Sequence, residues 1–169
     1  ELRIDMSHVY VPCSGDARGC NLAGYKLAAG FGIGQNKPLE NLVFDAPFHI
    51  ELHRLDPKSR PYAQRVPESS VLGVGFWLNA NNEMLLAQIQ EIRGSALPKD
   101  VEPGPAGFAI AEAVARAIGF STLTAYAARK HPHLRMHPDS EATMIGMFKR
   151  DFDASAKSLG YTPIAAKDG

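Results

Sequence analysis

A chain of 169 residues suffices for one domain with a substantial buried core, and 45% hydrophobic against 21% charged residues is the balance of an ordinary folded protein. Eighteen basic residues offset eighteen acidic ones, so no global field draws the chain to nucleic acid or to an anionic membrane, and neither is expected as a partner. No apolar run approaches the ~20 residues that span a bilayer, and no secretory segment is visible, so a cytoplasmic location is expected. The first residue is Glu1 rather than Met, which leaves open a processed or shortened start. Cys13 and Cys20 make no disulfide framework and are expected as reduced thiols.

One domain over residues 1–169 is expected, with a helical and loop region at 1–47 and a core of sheet and helices at 48–165. In the first region, Ser14-Gly15-Asp16-Ala17-Arg18-Gly19 has the composition of a loop. Residues 21–29 are expected as a short helix, stopped by Gly30, Gly32 and Gly34. The run Gly30-Phe31-Gly32-Ile33-Gly34 has glycine spacing like that of nucleotide loops. It follows no clear strand and lacks the Lys-Ser/Thr pair or distant acid that would complete a fingerprint.

From Phe48 the pattern sharpens. Phe48, Ile50 and Leu52 alternate with His49, Glu51 and His53, the period of a strand with one wet face, and Asp56-Pro57-Lys58-Ser59 breaks it. Residues 71–78 are almost wholly apolar and predict a central strand covered on both faces, in which Gly73 and Gly75 mark a bulge or a close backbone approach. Asn79-Ala80-Asn81-Asn82 is a turn, and residues 84–92 return as a third strand of an antiparallel meander.

A Gly/Pro-rich loop follows, ending Pro103-Gly104-Pro105-Ala106-Gly107, and a helix is expected over 107–118 with Ile110, Val114 and Ile118 on one face. Glu112 and Arg116 lie four apart on its outer side, and Gly119 ends it. Exposed N–H groups at the helix start, with its dipole, would attract phosphate. Residues 121–128 predict a strand in which Leu123, Ala125 and Ala127 oppose Thr122, Thr124 and Tyr126; the crossover makes it parallel to its neighbour. Asp139 or Ser140 is expected to cap a last helix running to about residue 158, with Met144, Phe148, Phe152 and Ala156 as its core stripe. The fold class is therefore α/β (α+β), a mixed, mainly antiparallel twisted sheet flanked by helices.

This order of elements, closing on Leu159-Gly160-Tyr161, resembles the GNAT N-acyltransferase superfamily, with this chain as a divergent member. The resemblance covers roughly residues 45–165 and rests on the strands at 71–78 and 84–92, on Gly104-Pro105-Ala106-Gly107 as pyrophosphate loop, and on the closing Leu-Gly-aromatic element. It implies acyl transfer from acetyl-CoA or another acyl-CoA, as co-substrate, to a small-molecule or protein amine. The implied cofactor residues are Ile92, Gly104, Ala106, Gly107, Phe108 and Ala109. Glu91 is the candidate base, and Tyr126 and Tyr161 are candidate acids. Val101 stands where the family carries Arg or Gln, Asp100 and Glu102 lie near the phosphate position, and Ala156 replaces the family's usual Tyr.

Those departures point to a second reading, a non-catalytic binding or interaction module on the same scaffold, with a homodimer left open. A third reading rests on His131-Pro132-His133 and His137, followed by Asp139 and Glu141. Imidazoles with a carboxylate suit a metal-dependent hydrolase, whereas the two flanking prolines suit a surface loop at a substrate mouth or oligomer contact. No metal ligand is assigned from spacing alone. Function resides in the site rather than in the fold, so the three readings stay open at the level of sequence.

Overall fold

Apolar alternation along the strands decides which face of the sheet is buried, and the helices follow from it. The computed structural model describes residues 10–12, 16–17, 20–21, 25–31, 34–35, 43–44, 46–54, 70–91, 97 and 101–164, with side chains described for 46–52, 71–91, 97 and 101–164. The strands are β1 (Tyr10–Pro12), β2 (Asp16–Ala17), β3 (Cys20–Asn21), β4 (Tyr25–Phe31), β5 (Gly34–Gln35), β6 (Val43–Phe44), β7 (Phe48–Arg54), β8 (Ser70–Leu78), β9 (Glu83–Glu91) and β10 (Thr122–Ala125). Six of them form one sheet in the order β1-β4-β7-β8-β9-β10; β2 pairs with β3 and β5 with β6. All neighbours in the large sheet are antiparallel except β10, which runs parallel to β9. The class is α+β, with a mixed and mainly antiparallel sheet.

The helix expected over 21–29 is instead β4, paired with β7 from Tyr25↔Arg54 to Phe31↔Phe48. Leu27, Ala28 and Ala29 have good helix propensity, but pairing on both edges overrides it, and Gly30 sits opposite His49 inside the ladder. The wet face expected of β7 is also corrected. His49 is 5% exposed and Glu51 1%, as buried as Ile50 and Leu52 on the other face, so both faces of β7 are covered here. Asp56-Pro57-Lys58-Ser59, the glycine run at 32–33, Cys13 and Ile92 lie outside the described residues.

Between β8 and β9 the ladder breaks once. Phe76 pairs with Leu86, but Gly75 pairs with Gln88, so Ala87 is an extra residue opposite the Gly75–Phe76 step. Gly75 gives room there, since a Cβ would lie a tight 3.1 Å from the Gln88 Cβ and 3.2 Å from the Ala46 Cβ. The bulge expected from Gly73 and Gly75 is thus present. It changes the side-chain phase: Met84 and Leu86 share a face before it, and Ile89 and Glu91 take that same face after it.

Helix α1 (Pro103–Ile118) lies on this face. A Cβ on its Gly107 would come within 2.7–2.9 Å of three Ile89 side-chain carbons, so the absent side chain lets helix and strand approach closely. The helix starts four residues earlier than the apolar stripe predicts. Pro103 at its first position needs no N–H partner, and Pro105 still falls within the first turn. Gly119 ends the helix with φ +82°, and Phe120 N–H returns to the Ala115 carbonyl at 2.8 Å. Glu112, expected outside, is buried. Tyr161 covers it and donates to its Oε1 at 2.6 Å, while the more exposed Arg116 donates to Oε2 at 2.9 Å.

The strand expected over 121–128 spans only Thr122–Ala125, and a 3-10 turn at Ala128–Lys130, α2 (Pro132–Met136) and a second 3-10 turn at Pro138–Ser140 follow it. The single helix expected from Asp139 or Ser140 is instead α3 (Glu141–Phe148), a π-helical turn at Lys149–Ala154 and α4 (Ser155–Ser158). No side chain caps α3 at Ser140. The stripe of Phe148 and Phe152 is buried as expected, with Met144 and Ala156 packed at its margin. Phe108 of α1 meets Phe152 and Tyr161 edge-on, at centroid distances of 6.5 and 5.0 Å, which locks α1 to the C-terminal segment. Among the described residues no helix is long and apolar enough to cross a membrane.

Phe108→Ala removes the ring shared by these elements and is expected to cost about 3–5 kcal/mol, whereas Ile118→Ala at the exposed helix end should stay within about 0.5 kcal/mol. Urea unfolding of both variants checks this; equal effects would show that the core is not organised around Phe108.

Candidate functional site

Three elements converge at the carboxyl end of β9. Glu91, Val101, Glu102, Pro103, Gly104, Pro105, Arg150 and Asp151 line a cleft of about 310 Å³. Strand alternation alone would send Glu91 to the opposite face from Leu86; the extra residue at Ala87 returns it to the α1 side, beyond the helix start. Val101 and Glu102 enter from the loop before α1. The π-helical turn supplies Arg150 and Asp151.

The electrostatics are acidic. Glu91, Glu102 and Asp151 set three carboxylates against the Arg150 guanidinium, a formal excess of two negative charges among the described lining residues. Arg150 is already engaged: its Nε donates to Asp151 Oδ1 at 2.6 Å, and its terminal nitrogen to Oδ2 at 2.9 Å. That bond, opposed by burial and reinforced by the charges of Asp151, Glu91 and Glu102, holds the Arg150 guanidinium above its usual range. The arginine therefore stays charged while neutralising Asp151, and Glu91 and Glu102 give the cleft its sign.

The expected pyrophosphate cradle has a different geometry. In any α-helix the N-cap and first three residues carry the unbonded N–H groups, here Glu102, Pro103, Gly104 and Pro105. Two of the four are prolines and have no N–H. Ala106 N–H already donates to the Glu102 carbonyl at 3.1 Å. Ala106, Gly107, Phe108 and Ala109, expected to hold a cofactor, are buried in α1 and are not among the residues lining the cleft. Gly104 does line the cleft, but its small size serves packing: a Cβ there would sit 2.7 Å from the Asp151 carbonyl oxygen and closer still to Ser155 Oγ. These residues do not fit a diphosphate.

Of the candidate acids, neither lines the cleft. Tyr161 donates its hydroxyl to buried Glu112 and packs on Phe108. Tyr126 lies just past β10 with its ring edge toward His131, at 5.7 Å between centroids. Glu91 and Gly104 are the two expected site residues that the fold brings together.

His131 is a buried structural histidine, not part of a surface loop. Its Nε2 lies 2.7 Å from the Ala87 carbonyl oxygen, and its Nδ1 accepts from the His133 N–H at 3.2 Å, capping α2. A carbonyl can only accept and a backbone N–H can only donate, so these partners select the neutral ring protonated at Nε2. With both nitrogens engaged, His131 cannot join His133 and His137 as a metal ligand. Among the described residues no three His, Cys, Asp or Glu side chains are grouped to hold a metal.

Sequence reasoning missed Arg150 and Asp151. A signal was present: Phe148, Asp151, Phe152 and Ser155 are spaced as one helical face, and all four are buried, so two polar groups occupy core positions. Ser155 Oγ donates to the Arg150 carbonyl at 3.1 Å, satisfying a group within the widened turn.

No protein-family model matches the chain, and neither a curated protein nor a solved structure matches it at a significant level.

Gly104→Ala is expected to force α1 off the π-helical turn and to cost about 1–3 kcal/mol, despite the better helix propensity of alanine. Chemical denaturation measures this, and a stability gain would mean that the α1 start is open rather than closed against Asp151 and Ser155.

Proposed function

We propose that this chain is a binding module on an acyltransferase-like scaffold, and that its cleft at the end of β9 takes an aliphatic amine. The observation that carries the reading is the charge of the cleft: three carboxylates against one arginine that is already paired with Asp151. A volume of about 310 Å³ suits a short alkyl chain, and an excess of negative charge selects an ammonium group over a phosphate. The binding residues in this reading are Glu91 and Glu102, and Arg150 holds Asp151 in place. The two prolines of the first α1 turn and the closed Gly104 face count against coenzyme A at this helix start.

Acyl-CoA-dependent N-acyl transfer is the second reading. It is favoured by the order of elements, including β10 parallel to β9 after the crossover. An amine in the same cleft would then be the acceptor, with Glu91 placed to accept its proton.

Calorimetric titration with putrescine at low ionic strength separates the readings. Saturable binding is expected, weakened by added salt and by about 2- to 5-fold in Glu91→Gln or Glu102→Gln, with no binding of a diol of equal length. A saturable rise of melting temperature with acetyl-CoA, and none with the diamine, would replace this reading with the second.

A further inference from the structure

The bulge that turns Glu91 into the cleft needs an anchor, because a regular ladder through Ala87 would recover backbone pairing. The anchor lies 44 residues further along the chain. Pairing with β10 accompanies β9 only as far as Leu86↔Ala125. At the next residue, Ala87, the carbonyl is met by the His131 imidazole at 2.7 Å. We propose that His131 is a positioning residue: by holding the Ala87 carbonyl it fixes the bulge that places Glu91 in the cleft. The functional readout of this inference rests on the amine reading above; its structural readout does not.

The ring is well suited to the task. It stacks on Phe148 at 4.2 Å and 18°, and the edges of Phe152 and Tyr126 close its other sides at 5.2 and 5.7 Å. The His133 N–H on Nδ1 fixes the tautomer that points the Nε2 proton at Ala87. The same register is favoured by the close approach of Gln88 to Gly75 and by the seat of Ile89 over Gly107. A one-residue slip to an unbroken ladder would put Gln88 and Gln90 toward α1 and carry Glu91 to the opposite face. His131 thereby acts on ligand through Glu91 without touching the cleft, since it is absent from the lining residues.

The test pairs His131→Phe, which fills the aromatic box without a donor, with His131→Gln, which keeps an N–H able to reach the carbonyl. Each is made alone and with Glu91→Gln. In ligand-free protein, nuclear Overhauser contacts between the Ile89 methyls and Gly107 Hα should vanish in His131→Phe and persist in His131→Gln. Putrescine affinity should fall about 2- to 5-fold in His131→Phe, as in Glu91→Gln. It should fall no further in the double variant, because both changes remove one contribution. Persistence of the Ile89 contacts in folded His131→Phe would overturn the proposal, as would additive losses of affinity. Absence of diamine binding by the unmodified protein would reject the amine reading alone, leaving the Overhauser contacts to decide the role of His131.

Discussion

One extra residue in a β-strand organises this molecule. Ala87 stands without an opposite partner between Leu86, paired with Phe76, and Gln88, paired with Gly75. Because strand side chains alternate with a period of two, inserting one residue exchanges the faces of everything that follows. Ile89 therefore reaches the bare backbone of Gly107, which brings α1 close to the sheet, and Glu91 projects past the start of that helix. The insertion is accommodated by Gly75 opposite it, where a Cβ would be tight against Gln88 and Ala46, and the His131 imidazole meets the Ala87 carbonyl.

The chemistry of the cleft follows from how α1 begins. A helix start attracts anions through its unbonded N–H groups, and prolines at two of the first three positions remove half of them. What remains is overlaid by carboxylates, with the one guanidinium already committed to Asp151. The π-helical turn contributes to both effects. It carries Arg150 and Asp151 to the rim and presses the Asp151 backbone against Gly104. The mixed sheet thus presents, at the carboxyl end of β9, a cleft lined by more carboxylates than cations among the described residues.

Elements with strong periodicity were legible from the sequence. The runs at 71–78 and 84–91 are strands and the pair Phe148–Phe152 is buried as read, because burial imposes the pattern directly. Of the helical stripe, Ile110 is buried and Val114 partly so, whereas Ile118 is exposed at the helix end. Strand β4 was misread because Leu27-Ala28-Ala29 favours a helix locally and only its partners, residues distant in sequence, make it a strand. The start of α1 was misplaced because prolines punctuate loops in general but are tolerated in a first helical turn. For the site, Glu91 was legible by its place at a strand end. Arg150 and Asp151 were not, since their side chains matter only once the turn packs on Gly104. Nothing local in His131-Pro132-His133 announces a buried ring; its burial is set by the β9 carbonyl and by the aromatic rings of the C-terminal segment.

The account stands on the register of β8 against β9. Cross-strand nuclear Overhauser contacts measured on isotope-labelled protein read that register directly. Contacts joining Phe76 to Leu86 and Gly75 to Gln88, with Ala87 facing no residue of β8, are the predicted result. Contacts joining Gly75 to Ala87 in an unbroken ladder would contradict it, since Glu91 would then lie on the far side of the sheet from α1.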